Sequence, residues 1–343
     1  MSQKALLLKS KRGIFELGTR NIPKPGPGEV LVKSYAVSLN PIDWKSQAYG
    51  LFLQDSDYPA ILGQGTAGVV EEVGAGVTHV SKGDKVISRG DRTKGADFAG
   101  FQQYTLAGAS FVAKIPDSLP FDEASSIPAC ADTASIGLFA PKEGNLTFPD
   151  RPGTYDGEAV LVLGGSSSVG LYVIQFARLA GFSTIITTSS LTHEGYLKSL
   201  GATHVIDRHL SPDQIVAHVK AITSNPIKVA YDAISEADTQ KTGWALLAPG
   251  GHLVLTLPST IQPEAGDTRT VKQVVGNPYL PDNNEFGKMW WAKLPEWIAE
   301  GKIKPNKIEV VPGGLGGTAA GLERLKANKV SGVKLIVRPF EGT

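Results

Sequence analysis

The stretch Glu158-Ala-Val-Leu-Val-Leu-Gly-Gly-Ser-Ser-Ser-Val-Gly170 constrains the fold of this 343-residue chain more than any other. Ala159 to Leu163 form a continuous apolar run of strand-favouring residues, the pattern of a strand buried on both faces. After a turn of small residues, Val169, Tyr172, Val173, Phe176, Ala177 and Ala180 recur at helical spacing, and Gly181 stands where a helix C-terminal cap is expected. Strand, tight turn and helix in this order let backbone N–H groups and the positive helix end meet a pyrophosphate. The motif is a variant, because Gly-x-Gly-x-x-Gly would need glycine where Ser166 and Ser168 stand. What remains, Gly164-x-x-Ser167-x-x-Gly170, is either a dinucleotide turn or an ordinary strand–helix turn. On the first reading Gly165, Ser166, Ser167, Ser168 and Val169 contact the phosphates.

The next strand, Ser183 to Thr188, decides between cofactors. About 20 residues after the turn, an NAD-selective fold places a carboxylate for the ribose hydroxyls. Here the strand ends in Ser189-Ser190-Leu191-Thr192-His193, and Glu194 comes too late for that role. The hydroxyls of Ser189, Ser190 and Thr192 and the His193 imidazole can donate to a 2′-phosphate, with Lys198 or Arg208 adding positive charge. NADP(H) is favoured over NAD(H).

The length suits two domains. A net charge of +1 leaves no basic excess to attract nucleic acid or a membrane surface. The one cysteine, Cys130, excludes an internal disulfide and a cysteine-rich zinc site; in its apolar setting it is a packed small side chain or, less in keeping with that setting, a reactive thiol. Met1 to Lys9 carry too short an apolar run for a signal peptide or a membrane span and read as a first strand, so the cytosol is the expected compartment.

Residues 1 to about 126 read as β-rich, with strands over Ala5–Leu8, Val30–Ser38, Gly68–Val73, Lys85–Ser88, Phe101–Leu106 and Val112–Ile115. From about 127 strands and helices alternate, with strands at 159–163, 184–188, 204–207, 228–233 and 251–257 and a sixth over Val271–Val275. That alternation predicts an α/β, doubly wound parallel sheet with helices on both faces. A Trp-rich helix over Phe286–Glu300, a helix over Leu315–Asn328 and a strand over Gly332–Arg338 follow; Asn145–Gly157 reads as an exposed loop. Trp290, Trp291 and Trp297 line an apolar cleft or pack a helix.

The order of a β-rich domain, a Rossmann domain and a return segment resembles the medium-chain dehydrogenase/reductase superfamily. The pieces that match are Gly28-Glu-Val-Leu-Val32, Asn40-Pro-Ile-Asp43, Leu62 to Gly74, Gly83-Asp-Lys-Val86, the Gly164–Gly170 turn, Leu200-Gly-Ala202 and Val330-Ser-Gly-Val-Lys334. The resemblance implies a GroES-like substrate domain over 1–126 and 279–343 and a Rossmann NADP-binding domain over 127–278. Zinc alcohol dehydrogenases of the superfamily carry a cysteine, then Gly-His-Glu, then a four-cysteine lobe. Here Gly63-Gln64-Gly65 replaces Gly-His-Glu, Ser38 to Asp43 offer no cysteine, and of six histidines only His79 lies in the first domain. No zinc site can be assembled from these residues, and none is expected. Among the zinc-free relatives, Gly164 to Gly170 together with Asn40-Pro-Ile-Asp-Trp-Lys45 most resemble the fungal group that contains the trans-acting enoyl reductases of polyketide synthesis.

In such reductases NADPH delivers hydride to the β-carbon of a C=C bond conjugated to a carbonyl. The protein must then stabilise the enolate oxygen and protonate the α-carbon. The resemblance puts Lys45 at the cleft, to hold the enolate, the nicotinamide ribose or a carrier phosphate, unless it is a solvated loop lysine. Tyr49, before Gly50-Leu51, matches a tyrosine of mitochondrial-type enoyl reductases after a two-residue deletion; the alternative is a core or cleft-lining aromatic. Thr133 falls near the nicotinamide or simply starts a helix with Asp132. Asn40, Pro41, Asp43, Lys45, Thr133, Thr256, Leu257 and Lys334 are the remaining expected cofactor contacts, with Asp43 better suited to fixing its turn than to moving protons and the backbone favoured at Thr256 and Leu257. His204 and His218 read as structural. The substrate implied is a small or carrier-bound unsaturated carbonyl. A quinone reductase and a nucleotide-binding protein without turnover remain as alternatives, and the superfamily admits both homodimers and monomers.

Overall fold

A computed structural model describes residues 1–144, 146–149 and 153–342, in two compact units: Met1–Ala129 with Gly287–Thr343, and Cys130–Phe286. The first unit begins with β1 (Ser2–Leu8), paired antiparallel with β2 (Phe15–Asn21). β3 (Glu29–Ser38), α1 (Pro41–Tyr49), β4 (Gly65–Val73), β5 (Lys85–Arg89), β6 (Tyr104–Gly108), β7 (Val112–Lys114) and α2 (Phe121–Ala124) follow. Valines of β3, β4 and β5 bury one face, with Val30, Val32, Val70 and Val86 in one cluster.

The second unit opens within α3 (Pro128–Phe139) and then alternates as expected: β8 (Ala159–Leu163), α4 (Ser168–Ala180), β9 (Thr184–Ser189), α5 (Glu194–Leu200), β10 (His204–Asp207), α6 (Pro212–Ile222), β11 (Ile227–Asp232), α7 (Ala237–Leu246), β12 (Leu247–Leu255) and β13 (Thr270–Gln273). Its six strands are all parallel, in the order β10-β9-β8-β11-β12-β13. β8 is buried at all five positions, as its unbroken apolar run requires. The doubly wound parallel sheet read from the sequence is therefore the architecture of this unit.

The chain returns through α8 (Pro281–Ala299), β14 (Ile308–Val310), α9 (Gly314–Lys326) and β15 (Lys334–Val337). β14 and β15 complete the first unit's sheet, β14-β15-β3-β4-β5-β7; β15 pairs with the C-terminal end of β3, and β6 with its N-terminal half. Leu8, Leu39, Leu62, Phe101 and Leu335 meet in the core beneath.

Three sequence expectations change, and a fourth gains detail. β2 was not anticipated, because Phe15–Asn21 is an exposed, polar edge strand without an apolar face. β6 starts at Tyr104 rather than Phe101, since Phe101 bonds instead to Leu6 and Leu62 (2.9 and 2.8 Å) and fills the core. Pro41–Tyr49 is a helix where a loop was expected. Within Asn145–Gly157, where Asn145 and 150–152 lie outside the described residues, the exposed loop is pinned: Phe148 packs on Phe139 and Phe286, and Tyr155 stacks on Phe182. The three tryptophans are buried; Trp290 packs on Trp297 and Trp291 on Phe111, which is the packing alternative. Cys130 is buried as well. No helix among the described residues is long and apolar enough to cross a membrane.

Candidate functional site

In the second unit the strand order reverses between β8 and β11, and a crevice at such a point, outside the carboxyl ends of the strands, is where doubly wound sheets take dinucleotides. Gly164 turns there with a φ of 79°. Gly164 N–H donates to the Thr188 hydroxyl (3.0 Å) and Gly165 N–H to the Thr188 carbonyl (2.9 Å), which fixes the turn to β9. Ser167 caps α4, its hydroxyl accepting the Gly170 N–H at 3.0 Å. A side chain at Gly165 would strike Thr187, and one at Gly170 would strike the backbone of Gly164 and Gly165. Those are the close approaches that glycine serves in a phosphate turn. Ser166, Ser168 and Val169 stay half-buried at its mouth. The residues present fit a pyrophosphate.

At the end of β9, Ser189 is buried and donates to the Ser190 carbonyl (3.2 Å), so its hydroxyl is turned inward. Ser190 and Thr192 pair their hydroxyls at 3.1 Å on the accessible side, and His193 is half-buried beside them. Lys198 is held by Glu194 at 2.8 Å, whereas the exposed Arg208 makes no ion pair among the described residues. Arg208 also hydrogen-bonds its backbone N–H to Ser189 (3.0 Å), which anchors it next to these hydroxyls. Of the two cations considered, Arg208 is the one left for an anion.

At the ends of β11 and β12 lies a polar network that the sequence did not disclose. Asp232 is fully buried; its Oδ1 accepts the N–H groups of Ile234 (3.0 Å) and Ser235 (2.7 Å), and burial pushes its carboxyl pKa up. Thr256 N–H donates to Ser235 Oγ at 2.8 Å, so that amide is already committed and, of the Thr256 backbone, the carbonyl, with Leu257 beyond it, remains for a ligand. Buried Gln240 donates to the carbonyls of Ser235 (2.8 Å) and Pro258 (3.1 Å) and accepts from Thr260 N–H (2.8 Å). Ile234 reaches over to Gly164, where any side chain would collide with it.

Thr133 is the sixth residue of α3, not its start, which removes the capping alternative. Its carbonyl accepts the Tyr231 hydroxyl at 2.8 Å, and Gly276 presses against it. His252, on β12, has a buried Nε2 without a partner, and burial lowers its pKa. His204 and His218 are exposed.

In the first unit α1 is built by local signals: Asn40 before it, Pro41 at its first position, and Gly50 after it at φ 70°, closing on Ser46 at 2.9 Å. Buried Asp43 accepts Asn40 N–H through Oδ2 (2.8 Å) and Gly63 N–H through Oδ1 (3.3 Å), which ties the helix to Gly63-Gln64-Gly65. Buried Lys334 donates to Asn40 Oδ1 at 2.6 Å. Asn40, Asp43 and Lys334 thus form one buried scaffold. Lys45 and Tyr49, four residues apart on α1, remain accessible. The Lys45 ammonium lies 5.6 Å from the centre of the Trp44 ring, and burial lowers its pKa; Tyr49 is 58% exposed, its ring centre 6.0 Å from that of Trp44. Gln64 is buried and its carbonyl accepts from Arg89 at 3.2 Å. Among the described residues no three His, Cys, Asp or Glu side chains cluster to hold a metal ion.

Two family models match the chain, an alcohol dehydrogenase GroES-like domain over residues 26–117 and a zinc-binding dehydrogenase over 168–257. A trans-enoyl reductase of Aspergillus japonicus is 34% identical over 345 residues, covering 98% of this chain and 97% of that protein. One of Penicillium citrinum is 32% identical, with the same coverage. The chain belongs to the enoyl reductase branch of the medium-chain dehydrogenase/reductase superfamily. This reductase is also similar to solved structures: an alcohol dehydrogenase superfamily protein from Novosphingobium aromaticivorans (TM-score 0.78, 25% identity, 97% and 99% of the two chains) and the quinone oxidoreductase from Coxiella burnetii (0.75, 24%, 98% and 99%), the latter a likeness of fold alone. As a member of this superfamily the reductase is an oxidoreductase, with the GroES-like β domain and the Rossmann-like sheet expected. In it Gln64 stands between two glycines where the zinc enzymes of the resemblance have histidine. Asp232, Ser235 and Gln240 form the network at the candidate site that sequence reasoning missed. The one local signal was Asp232 itself, a carboxylate closing the apolar strand Ile227–Tyr231.

Proposed function

We propose that the reductase uses NADPH to reduce the C=C bond of an α,β-unsaturated carbonyl compound without zinc. The full-length likeness to the trans-enoyl reductases carries the reaction class. The choice of NADPH is supported by the end of β9, where two hydroxyls and Arg208 stand and the strand itself closes on Ser189 rather than on a carboxylate. Gln64 between glycines, and the lack of a cluster of metal-ligating side chains among the described residues, support the zinc-free reading.

Bound NADPH supplies hydride to the β-carbon. The turn Gly165–Val169 and the N-terminus of α4 hold the pyrophosphate, and Ser190, Thr192 and Arg208 the 2′-phosphate. As charge develops on the substrate's carbonyl oxygen, the Lys45 ammonium stabilises it, and the Tyr49 phenol delivers the proton to the α-carbon. Asn40, Asp43 and Lys334 position α1 rather than touch the reacting atoms. The substrate is a small or carrier-bound enone or enoyl chain met in the cytosol.

The test is loss of NADPH absorbance with a simple enone and, separately, a quinone, with NADH as control. Oxidation with the enone, faster with NADPH, is expected, and Lys45→Ala and Tyr49→Phe should each lower turnover. Reaction with the quinone alone would replace this reading by a quinone reductase, and full turnover in both variants would refute the assignment of Lys45 and Tyr49.

A further inference from the structure

Ser235 uses every polar atom it has. Its N–H goes to Asp232 Oδ1 (2.7 Å), its carbonyl accepts from Gln240 Nε2 (2.8 Å), and its hydroxyl donates to the Asp232 carbonyl (2.7 Å) while accepting Thr256 N–H (2.8 Å). A serine hydroxyl has one proton. With that proton on the Asp232 carbonyl, the remaining contact, Ser235 Oγ to Thr256 Oγ1 at 3.2 Å, has Thr256 as its donor. The Thr256 hydroxyl proton therefore points inward to Ser235, and what Thr256 offers at the end of β12 is acceptors: hydroxyl lone pairs and its carbonyl. Ser235 also holds φ at +60°, a conformation non-glycine residues seldom adopt, so the surrounding bonds hold it against local preference.

The 2′-phosphate is read at β9, so in a fold of two mononucleotide halves the nicotinamide half belongs over β11 and β12. We infer that Ser235 is a positioning residue for the nicotinamide: it locks the Thr256 hydroxyl as an outward acceptor, and this end of the site selects the N–H₂ side of a carboxamide. The inference rests on the nucleotide reading proposed above.

Binding alone tests it, with NADPH, with adenosine 2′,5′-bisphosphate, which lacks the nicotinamide half, and with the reduced 3-acetylpyridine analogue, in which a methyl replaces the amide nitrogen. Ser235→Gly suits the φ and removes the hydroxyl. The lost buried bonds lower the thermal midpoint and the relieved φ partly offsets that; NADPH should weaken about five- to tenfold, the weight of one hydrogen bond, and the bisphosphate should bind unchanged. Thr256→Val should weaken NADPH by a similar factor and leave the acetylpyridine analogue as in wild type. NADPH bound unchanged by Ser235→Gly, NADPH and bisphosphate weakened in parallel, or the analogue weakened as much as NADPH by Thr256→Val would each overturn the inference. Wild type that binds neither NADPH nor the bisphosphate would overturn the nucleotide reading itself, and this inference with it.

Discussion

Replacing Gly170 by alanine tests the phosphate turn through a single methyl group. The added Cβ would lie 2.9 Å from Gly165 Cα and closer still to the Gly164 carbonyl oxygen, all of it backbone that cannot rotate away. Carbon atoms pack at about 3.5 Å, so the Gly165 contact alone makes turn and helix part by about 0.6 Å, and the shorter oxygen contact asks for more. A shift of that size, taken along the bonds of Gly164 and Gly165 to Thr188, now 3.0 and 2.9 Å, carries both to the edge of hydrogen-bonding range. Overpacking of this kind costs about 1–3 kcal/mol, and alanine's better helix propensity returns at most about 1 kcal/mol. Gly170→Ala should therefore lose about 1–2 kcal/mol in a urea titration and bind NADPH at least about tenfold more weakly, because the turn that receives the phosphates has moved. Gly195→Ala is the control: a Cβ there meets nothing within 4 Å, so stability should hold or rise by up to about 1 kcal/mol with affinity unchanged. Wild-type stability and affinity in Gly170→Ala would refute the reasoning.

Three further outcomes are expected. Arg208→Ala should weaken NADPH about tenfold or more, the scale of a hydrogen bond to a charged group, and leave NADH almost untouched; equal loss for both nucleotides would remove Arg208 from the 2′-phosphate site. Because burial lowers the Lys45 pKa, its ammonium is lost on raising pH earlier than in a free lysine, so kcat/KM should fall on an alkaline limb that begins below the usual lysine value, and Lys45→Arg should abolish that limb; a limb that persists in Lys45→Arg belongs to another group. Asn40→Ala takes a bond from the buried Lys334 ammonium and should cost about 2–3 kcal/mol in urea unfolding, whereas a change under about 0.5 kcal/mol would show that this scaffold bears little of the fold.

The sequence exposes what short-range pattern controls. Ala159–Leu163 and the small residues after it announce strand and turn because a doubly buried strand has no room for a polar residue. Glu194 and Lys198 already stood at salt-bridge spacing. For α1 the signals were present in Asn40, Pro41, Asp43 and Gly50, but Trp44, Lys45 and Ser46 give no apolar stripe, so the helix is set by its ends rather than by a buried face. β2 was hidden because only its register with β1 makes it a strand. The network of Asp232, Ser235, Gln240 and Thr256 was illegible for a different reason. Its members lie on separate elements, the direction of one proton depends on all of them, and no local spacing encodes that.

The fate of a labelled hydride tests zinc-free C=C reduction most directly. Chelator-treated reductase would be given NADPH deuterated at the transferred position and a simple enone, and the product examined by mass spectrometry and NMR. A saturated ketone with one deuterium on the β-carbon is expected, at a rate the chelator does not change. Deuterium at the carbonyl carbon of an allylic alcohol, or activity restored only by added zinc, would contradict it.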